Sequence, residues 1–189
     1  MKTSLPQIET ERLFLREISE NDVYDMFEYA SLPYVGPVAG WEPHTSYLYT
    51  RDVIKTYRKK PFYGQLSVFA VCLKSSKKMI GTCELHSYFK DFKAELGYTI
   101  NPKYWGKGYA VEAAKAMIYW GFEDLNLKRI ECCSFTNNTQ SQRVSEKLGL
   151  TYEGIRKKAY QLYDGSIHDL KCFSITDDEF YEKKKNFEI

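Results

Sequence analysis

The sequence lacks long apolar segments, a secretory leader and closely spaced pairs of cysteines. Its longest uncharged apolar runs, near residues 66–73 and 116–122, are far shorter than the ~20 residues that span a bilayer. Residues 1–10 are polar and of mixed charge, which is not the pattern of a signal peptide. The five cysteines form no CxxC motif, and their odd number predicts reduced thiols. We therefore expect a cytoplasmic protein that does not bind a membrane.

An excess of charge of one sign is also absent, and histidine is scarce. The chain of 189 residues has 27 Lys and Arg against 25 Asp and Glu, whereas a nucleic-acid-binding protein would carry a basic stripe. Only three histidines are present, and none belongs to an HExxH motif. We therefore expect neither a nucleic-acid partner nor a metal site.

Aromatic residues are abundant, at 16% of the chain, which favours a well-packed globular protein over a disordered one. No repeat, low-complexity tract or Ser/Gly linker divides the sequence. We therefore predict a single domain over residues 1–189.

Hydrophobic periodicity predicts a mixed α/β (α+β) arrangement around one sheet. The first half should contain a strand at 12–17, a helix after Ser19, a loop at 32–43 and a helix at 45–59. Three strands then form an antiparallel meander (66–73, 79–88, 92–100). The second half should alternate helix 109–124, strand 129–135 and helix 138–148, followed by a hairpin (151–163, 166–176) and a short helix. Asp164-Gly165 at the hairpin tip favours a type I′ turn.

The segment Glu95–Ala114 (ELGYTINPKYWGKGYAVEAA) is the most informative for chemistry. A strand is followed by Gly106 and Gly108 and then by an alanine-rich helix. The free amides at the start of a helix, with Lys107 beside them, predict a site for a phosphate or pyrophosphate. The sequence has no GxxxxGK followed by Ser or Thr, so this is not a Walker A loop. It is not a dinucleotide fingerprint either, because Val111 replaces the third glycine or alanine. A tight turn without any ligand is the alternative explanation of both glycines.

The wider pattern resembles the GNAT superfamily of acyl-CoA-dependent N-acetyltransferases, and most of all its ribosomal-protein N-terminal acetyltransferase (RimJ/RimL-type) branch. The resemblance covers nearly the whole chain and is most specific in residues 95–114 and 137–150. RLFLRE at 12–17, WEPH at 41–44 and the His168-Asp169 pair support it. It implies the GNAT fold, which is a single mixed, mostly antiparallel sheet of about six to seven strands with flanking helices. It also implies a central splay beside the strand that ends at Ile100.

The resemblance further implies acetyl-CoA as cosubstrate, with its pantetheine arm in the splay and its pyrophosphate on the amides after Trp105. The implied cofactor-binding residues are Tyr98, Thr99, Ile100, Trp105, Gly106, Lys107, Gly108, Tyr109, Ala110, Asn138, Ser141 and Lys147. Asn138 is also a natural helix N-cap, which accounts for it without a ligand.

Two residues are the catalytic candidates. In the branch that the sequence resembles, a serine matching Ser141 lies near the sulfur, so the resemblance implies that Ser141 assists the departing thiolate. Many other family members use a tyrosine for that role, at the position that Ser145 occupies here. Glu95 is the candidate general base, and an exposed carboxylate without a role is its alternative. Glu84 and His86, two residues apart on the neighbouring strand, share one face of the sheet.

The function implied is transfer of an acetyl group from acetyl-CoA to a primary amine by direct attack. The expected acceptor is a protein N-terminal α-amine. A small-molecule amine (a polyamine, amino acid or antibiotic) and a non-catalytic acyl-CoA-binding module are the alternatives. Acceptor choice should depend on the first two helices, the loop at 32–43 and the hairpin near Tyr152 and Tyr160. The protein is expected to be a monomer or a homodimer.

Overall fold

The computed structural model describes residues 5–187, except for the side chain of Phe62. The strands are β1 (Ile8–Glu9), β2 (Leu13–Glu17), β3 (Phe69–Leu73), β4 (Met79–Phe89), β5 (Lys93–Ile100), β6 (Arg129–Phe135), β7 (Thr151–Gln161) and β8 (Ile167–Thr176). The helices are α1 (Val23–Ala30), α2 (Gly36–Ala39), α3 (Tyr47–Lys59), α4 (Tyr109–Glu123), α5 (Thr139–Lys147) and α6 (Asp177–Glu182), with short 3₁₀ turns between some elements.

All eight strands form one mixed sheet in the order β1-β2-β3-β4-β5-β6-β8-β7. Every neighbouring pair is antiparallel except β5 and β6, which are parallel. The strand number exceeds the predicted six to seven because β1, which was not predicted, adds an eighth strand at one edge. β1 has only two residues, which is too short for an alternating pattern to reveal.

The predicted splay lies between β5 and β6. These strands pair at only three positions, from Lys93 opposite Arg129 to Glu95 opposite Glu131. Both strands continue beyond this pairing, to Ile100 and Phe135. Their remaining backbone groups therefore face a gap in the sheet, because a ladder that stops leaves its donors and acceptors without strand partners.

Helices cover both faces of the sheet, each over its own apolar core. Ile54 of α3 and Met26 of α1 are buried on one face, and α4 lies on the other. Ala113 and Ala114 of α4 are fully buried, so small side chains bring this helix close to the sheet. At Gly121 a Cβ would approach Ile130 Cδ1 to 2.8 Å, which explains the glycine there.

Two local predictions differ from the structure. The loop at 32–43 contains the short helix α2, whose four residues give too little periodicity to detect. At the hairpin tip only Gly165 has a positive φ, of 83°, and its amide donates to the carbonyl of Leu162. The type I′ prediction is therefore wrong, because such a turn needs two residues with positive φ. Asp164 instead accepts a hydrogen bond from the Ser166 amide at 2.9 Å.

Candidate active site

A cleft of about 770 Å³ opens at the splay between β5 and β6. Successive residues of β5 line it, including Leu96, whose side chain joins the core beneath α4, and Thr99 on the opposite face. Since side chains alternate across a strand, the cleft passes through the sheet and connects its two faces. The start of α4, one side of α5 and residues 35–41 complete its wall.

The loop before α4 has the geometry of the predicted phosphate site. Gly106 and Gly108 have φ of 75° and 83°, values that favour glycine, and Gly108 is the N-cap of α4. No side chain caps this helix, so its first amides lack an internal acceptor. A Cβ on Gly106 would have no atom within 4 Å, and one on Gly108 would meet only Arg12 Nη2, at 3.5 Å. The space beside this backbone is open, and the residues present fit a bound pyrophosphate.

A salt bridge from Arg12, the residue before β2, braces this loop. Arg12 Nη2 lies 2.6 Å from Glu112 Oε2, and Arg12 Nη1 donates to the Lys107 carbonyl at 2.9 Å. The Arg12 guanidinium also stacks on Tyr109, 4.6 Å from the ring centroid. Burial raises the pKa of Glu112, but hydrogen bonds from Thr10 and Arg12 lower it more, and the pKa is below its usual range. The sequence analysis did not assign this role to Arg12.

The cations at the cleft differ partly from those predicted. Neither Lys107 nor Tyr109 is among the residues that line the cleft. Lys107 is exposed, and its ammonium lies 5.4 Å from the centroid of the Tyr104 ring. Lys147 does line it, together with Arg143 one helical turn earlier. The sequence analysis missed Arg143, although its i, i+4 spacing from Lys147 is a detectable signal.

The backbone of β5 presents alternate residues to the gap. The Asn101 amide donates to the Ile80 carbonyl of β4 at 2.8 Å. Because peptide groups alternate in direction along a strand, Tyr98 and Ile100 direct theirs towards β6. The Ile100 carbonyl accepts from Trp105 Nε1 at 2.6 Å, whereas the backbone groups of Tyr98 are directed at the gap beyond the β5–β6 pairing.

Two hydroxyl groups meet across the gap. Tyr98 Oη of β5 lies 3.0 Å from Ser141 Oγ of α5, and both residues line the cleft. Burial raises the pKa of Tyr98, so its phenol keeps its proton. Ser145 is only 1% exposed and does not line the cleft; its Oγ lies 3.3 Å from the Ser141 carbonyl and 3.5 Å from Cys132 Sγ. Sequence reasoning named Tyr98 only as a cofactor contact, because no local pattern shows that it reaches α5.

Asn138 uses both ends of its side chain within the protein. Its Oδ1 accepts from the Ser141 amide at 3.1 Å, which is the predicted N-cap, and its Nδ2 donates to the Val38 carbonyl at 3.1 Å. Tyr160 of β7 likewise donates to the Gly40 carbonyl at 2.8 Å. These two bonds hold residues 35–41 over the cleft, which Trp41 and Tyr160 help to line.

The opposite side of the cleft is acidic. Glu95 lies directly across from His86 in the β4–β5 register, and both line the cleft. Within residues 5–187 no cation and no hydrogen-bond donor contacts the Glu95 carboxylate. Glu131, its neighbour on β6, differs because it binds Arg129, Arg156 and Lys93. Glu95 is therefore available to accept a proton from a bound molecule.

The His168-Asp169 pair holds the β7–β8 hairpin together. Asp169 Oδ1 accepts from the Lys158 amide at 2.8 Å, and His168 Nε2 lies 2.7 Å from Ser166 Oγ. Neither residue lines the cleft. These contacts account for the pair as a structural feature. Tyr152 packs on Phe173, with ring centroids 5.4 Å apart, and is not among the residues that line the cleft.

Comparison with known proteins is consistent with this site. Residues 12–151 match the family model of the acetyltransferase (GNAT) domain. The chain belongs to the GNAT acetyltransferase family. It is 33% identical over 172 residues to the uncharacterized N-acetyltransferase p20 of Bacillus licheniformis, covering 90% of this chain and 96% of the relative. It is 26% identical to the ribosomal protein uS5-alanine N-acetyltransferase of Escherichia coli, covering 93% and 94% of the two chains.

A solved structure shows the same GNAT architecture. The GNAT-family acetyltransferase from Bacillus anthracis has a TM-score of 0.82 and 30% identity, covering 92% of this chain and all of that one. The protein is thus an acetyl-CoA-dependent N-acetyltransferase with a mixed sheet and flanking helices. Within residues 5–187, no helix is both long enough and apolar enough to cross a bilayer.

Proposed function

We propose that this GNAT enzyme acetylates the α-amine at the N-terminus of a protein or peptide. The likeness to an N-acetyltransferase of ribosomal protein uS5 over nearly the whole chain supports this acceptor class. An α-amine titrates near about 7.7–8, so a modest base suffices to produce the attacking free amine. Glu95, which lines the cleft on the side opposite the predicted cofactor site, is a base of this kind.

The observation that carries the proposal is the Glu95 carboxylate, which no cation or donor of residues 5–187 contacts, in the same cleft that Tyr98 and Ser141 line. A proton acceptor on one side of the gap and hydroxyl donors on the other are the groups that acyl transfer to an amine needs. A module that only bound acyl-CoA would not require this arrangement.

Acetyl-CoA, when bound, supplies a thioester whose carbonyl carbon is open to attack by an amine. The amides of Gly108 and Ala110, with Arg143 and Lys147, would hold the diphosphate. The Tyr98 amide would pair with the pantetheine arm and orient it in the gap.

On the acceptor side, Glu95 takes a proton from the substrate ammonium, directly or through one water. On the other side, the C–S bond breaks as the C–N bond forms, and the nitrogen's second proton leaves with the sulfur as the CoA thiol. Ser141 Oγ donates a hydrogen bond towards that sulfur position, and Tyr98 Oη orients the hydroxyl. The cysteines have no part in this direct transfer.

The test is an acetylation assay with four acceptors, with release of the CoA thiol and the product mass as readouts. The acceptors are a lysine-free peptide with a free α-amine, the same peptide blocked at that amine, a blocked peptide with one lysine, and a polyamine. We expect rapid acetylation of the first peptide only. Acetylation confined to the polyamine or to the lysine would overturn the acceptor assignment. Binding of CoA without turnover of any amine would favour the non-catalytic module.

A further inference from the structure

An ion pair lies in the wall of the cleft, on the side where the amine acceptor is expected to bind. The Lys60 ammonium binds the Glu84 carboxylate, and both residues line the cleft. The two side chains are 24% and 22% exposed, so the pair is shielded from bulk water but reachable from the cleft. The Lys60 ammonium also lies 5.1 Å from the centroid of the Tyr57 ring. Neither the phosphate site nor the hydroxyl pair uses these residues.

Glu84 and Glu95 are diagonal neighbours on the same face of the sheet. Glu84 pairs with Gly97, and Glu95 pairs with His86 two positions away. A Cβ on Gly97 would lie 3.4 Å from His86 Nε2 and 3.5 Å from Glu84 Cγ, so both side chains lean over this glycine. Such diagonal positions are roughly 7–8 Å apart, close enough for one small substrate to span both carboxylates.

We propose that the Lys60–Glu84 pair is a charge filter that restricts the acceptor to an amine with a single positive charge. Lys60 neutralises Glu84, which leaves Glu95 as the unpaired carboxylate facing the reacting ammonium. The wall beyond the pair is uncharged, being formed by Met26, Tyr29 and Trp41. This inference rests on the proposed function and narrows its substrate class.

A second positive charge on the acceptor would be repelled by Lys60 and would have no unpaired carboxylate as counterion. A negative charge near the amine would be repelled by Glu84, and the Lys60 ammonium is already bound to Glu84. An N-terminus whose first side chains are uncharged avoids both repulsions. A polyamine is therefore disfavoured at this site, since its second ammonium would be desolvated without a counterion.

The test uses Lys60→Met and Glu84→Gln, which should shift acceptor preference in opposite directions. Three peptides share an uncharged first residue and carry glutamine, arginine or glutamate at the second; arginine adds charge without a second reactive amine. We expect Lys60→Met to raise kcat/KM for the arginine peptide relative to the glutamine peptide by about fivefold. Glu84→Gln should raise the value for the glutamate peptide relative to the glutamine peptide by about as much.

The double variant separates a charge effect from a structural one. With both charges removed, the two ratios should return towards those of the unsubstituted enzyme, because neither charge is left unpaired. Lys55→Met, which removes an exposed lysine of α3 that pairs with Asp52 outside the cleft, is the matched control. Thermal unfolding and CoA affinity, measured for each variant, establish that it is folded.

Ratios that stay constant in both single variants would overturn the charge filter while leaving the proposed function intact. The same holds if both variants shift in one direction. An unsubstituted enzyme that binds CoA but acetylates none of the three peptides would instead overturn the proposed acceptor class.

Discussion

At the scale of single residues, the hydroxyl pair at the gap gives the first prediction. Ser141→Ala removes the donor nearest the expected sulfur position and should lower kcat about 10-fold to 100-fold. The affinity for CoA, measured by calorimetry, should change little because the backbone cradle on α4 remains. Ser145→Ala is the matched control, since it removes a buried hydroxyl of the same helix that lies away from the cleft. Unchanged turnover in Ser141→Ala would show that this hydroxyl has no catalytic part.

Glu95→Gln tests whether Glu95 is the proton acceptor, because loss of a base lowers kcat/KM in a pH-dependent way and loss of a structural residue does not. At pH 6.5 an α-amine is mostly protonated, and we expect kcat/KM to fall about 10-fold to 100-fold without the carboxylate. Above pH 8 the amine is already free, so the loss should shrink. The measurement is the ratio of kcat/KM for the two proteins across this range. A ratio that does not vary with pH would mean that Glu95 is not the base.

At the scale of elements, Arg12 couples the start of β2, which it precedes directly, to α4. Arg12→Met removes the donor to the Lys107 carbonyl and the partner of Glu112, which should loosen the amides at the start of α4. Because the Arg12 side chain is 42% exposed, we expect a modest rise in the Kd for CoA, about threefold to tenfold. Isothermal calorimetry measures it, with kcat at saturation nearly unchanged.

Arg16→Met is the control for this element. Arg16 lies in β2, four residues after Arg12, but binds Asp22, at 2.6 Å, rather than the loop before α4. It should lower stability without changing the Kd for CoA. Equal weakening in both variants would contradict a specific brace.

Helices and strands were largely predictable from short stretches of sequence, whereas contacts between distant residues were not. Alternation and the alanine stripe of α4 predicted most strands, this helix and the glycine loop, because each signal is contained in a short stretch of chain. Tyr98 and Ser141 were both predicted at the cleft, but the bond between them joins residues 43 positions apart and needs the fold. The ion pair of Lys60 with Glu84 was invisible for the same reason. The type I′ turn was wrong because Asp-Gly is compatible with more than one turn type.

At the scale of the whole molecule, carboxylates that each bind several cations join elements that are distant in sequence. Hydrogen bonds from Lys103 and Lys78 lower the pKa of Glu28 to about 2. Burial alone would raise the pKa of Glu131, but hydrogen bonds from Arg129, Arg156 and Lys93 lower it, also to about 2. The first network ties α1 to β4 and to the turn after β5, and the second joins β6 to β5 and β7.

These shifts set the acid sensitivity of the fold. A carboxylate with a lowered folded-state pKa stabilises the protein fully above its unfolded value of 4.5, because there both states are ionised. Between pH 4.5 and about 2 the unfolded chain takes up protons first, so the free energy of unfolding should fall steadily. Urea unfolding at pH 7, 4 and 3 measures this slope. Glu131→Gln should be less stable at pH 7 and less dependent on acid, since it removes one of the groups that titrate. An equal loss between pH 7 and pH 3 in both proteins would mean that the Glu131 network does not contribute to acid unfolding.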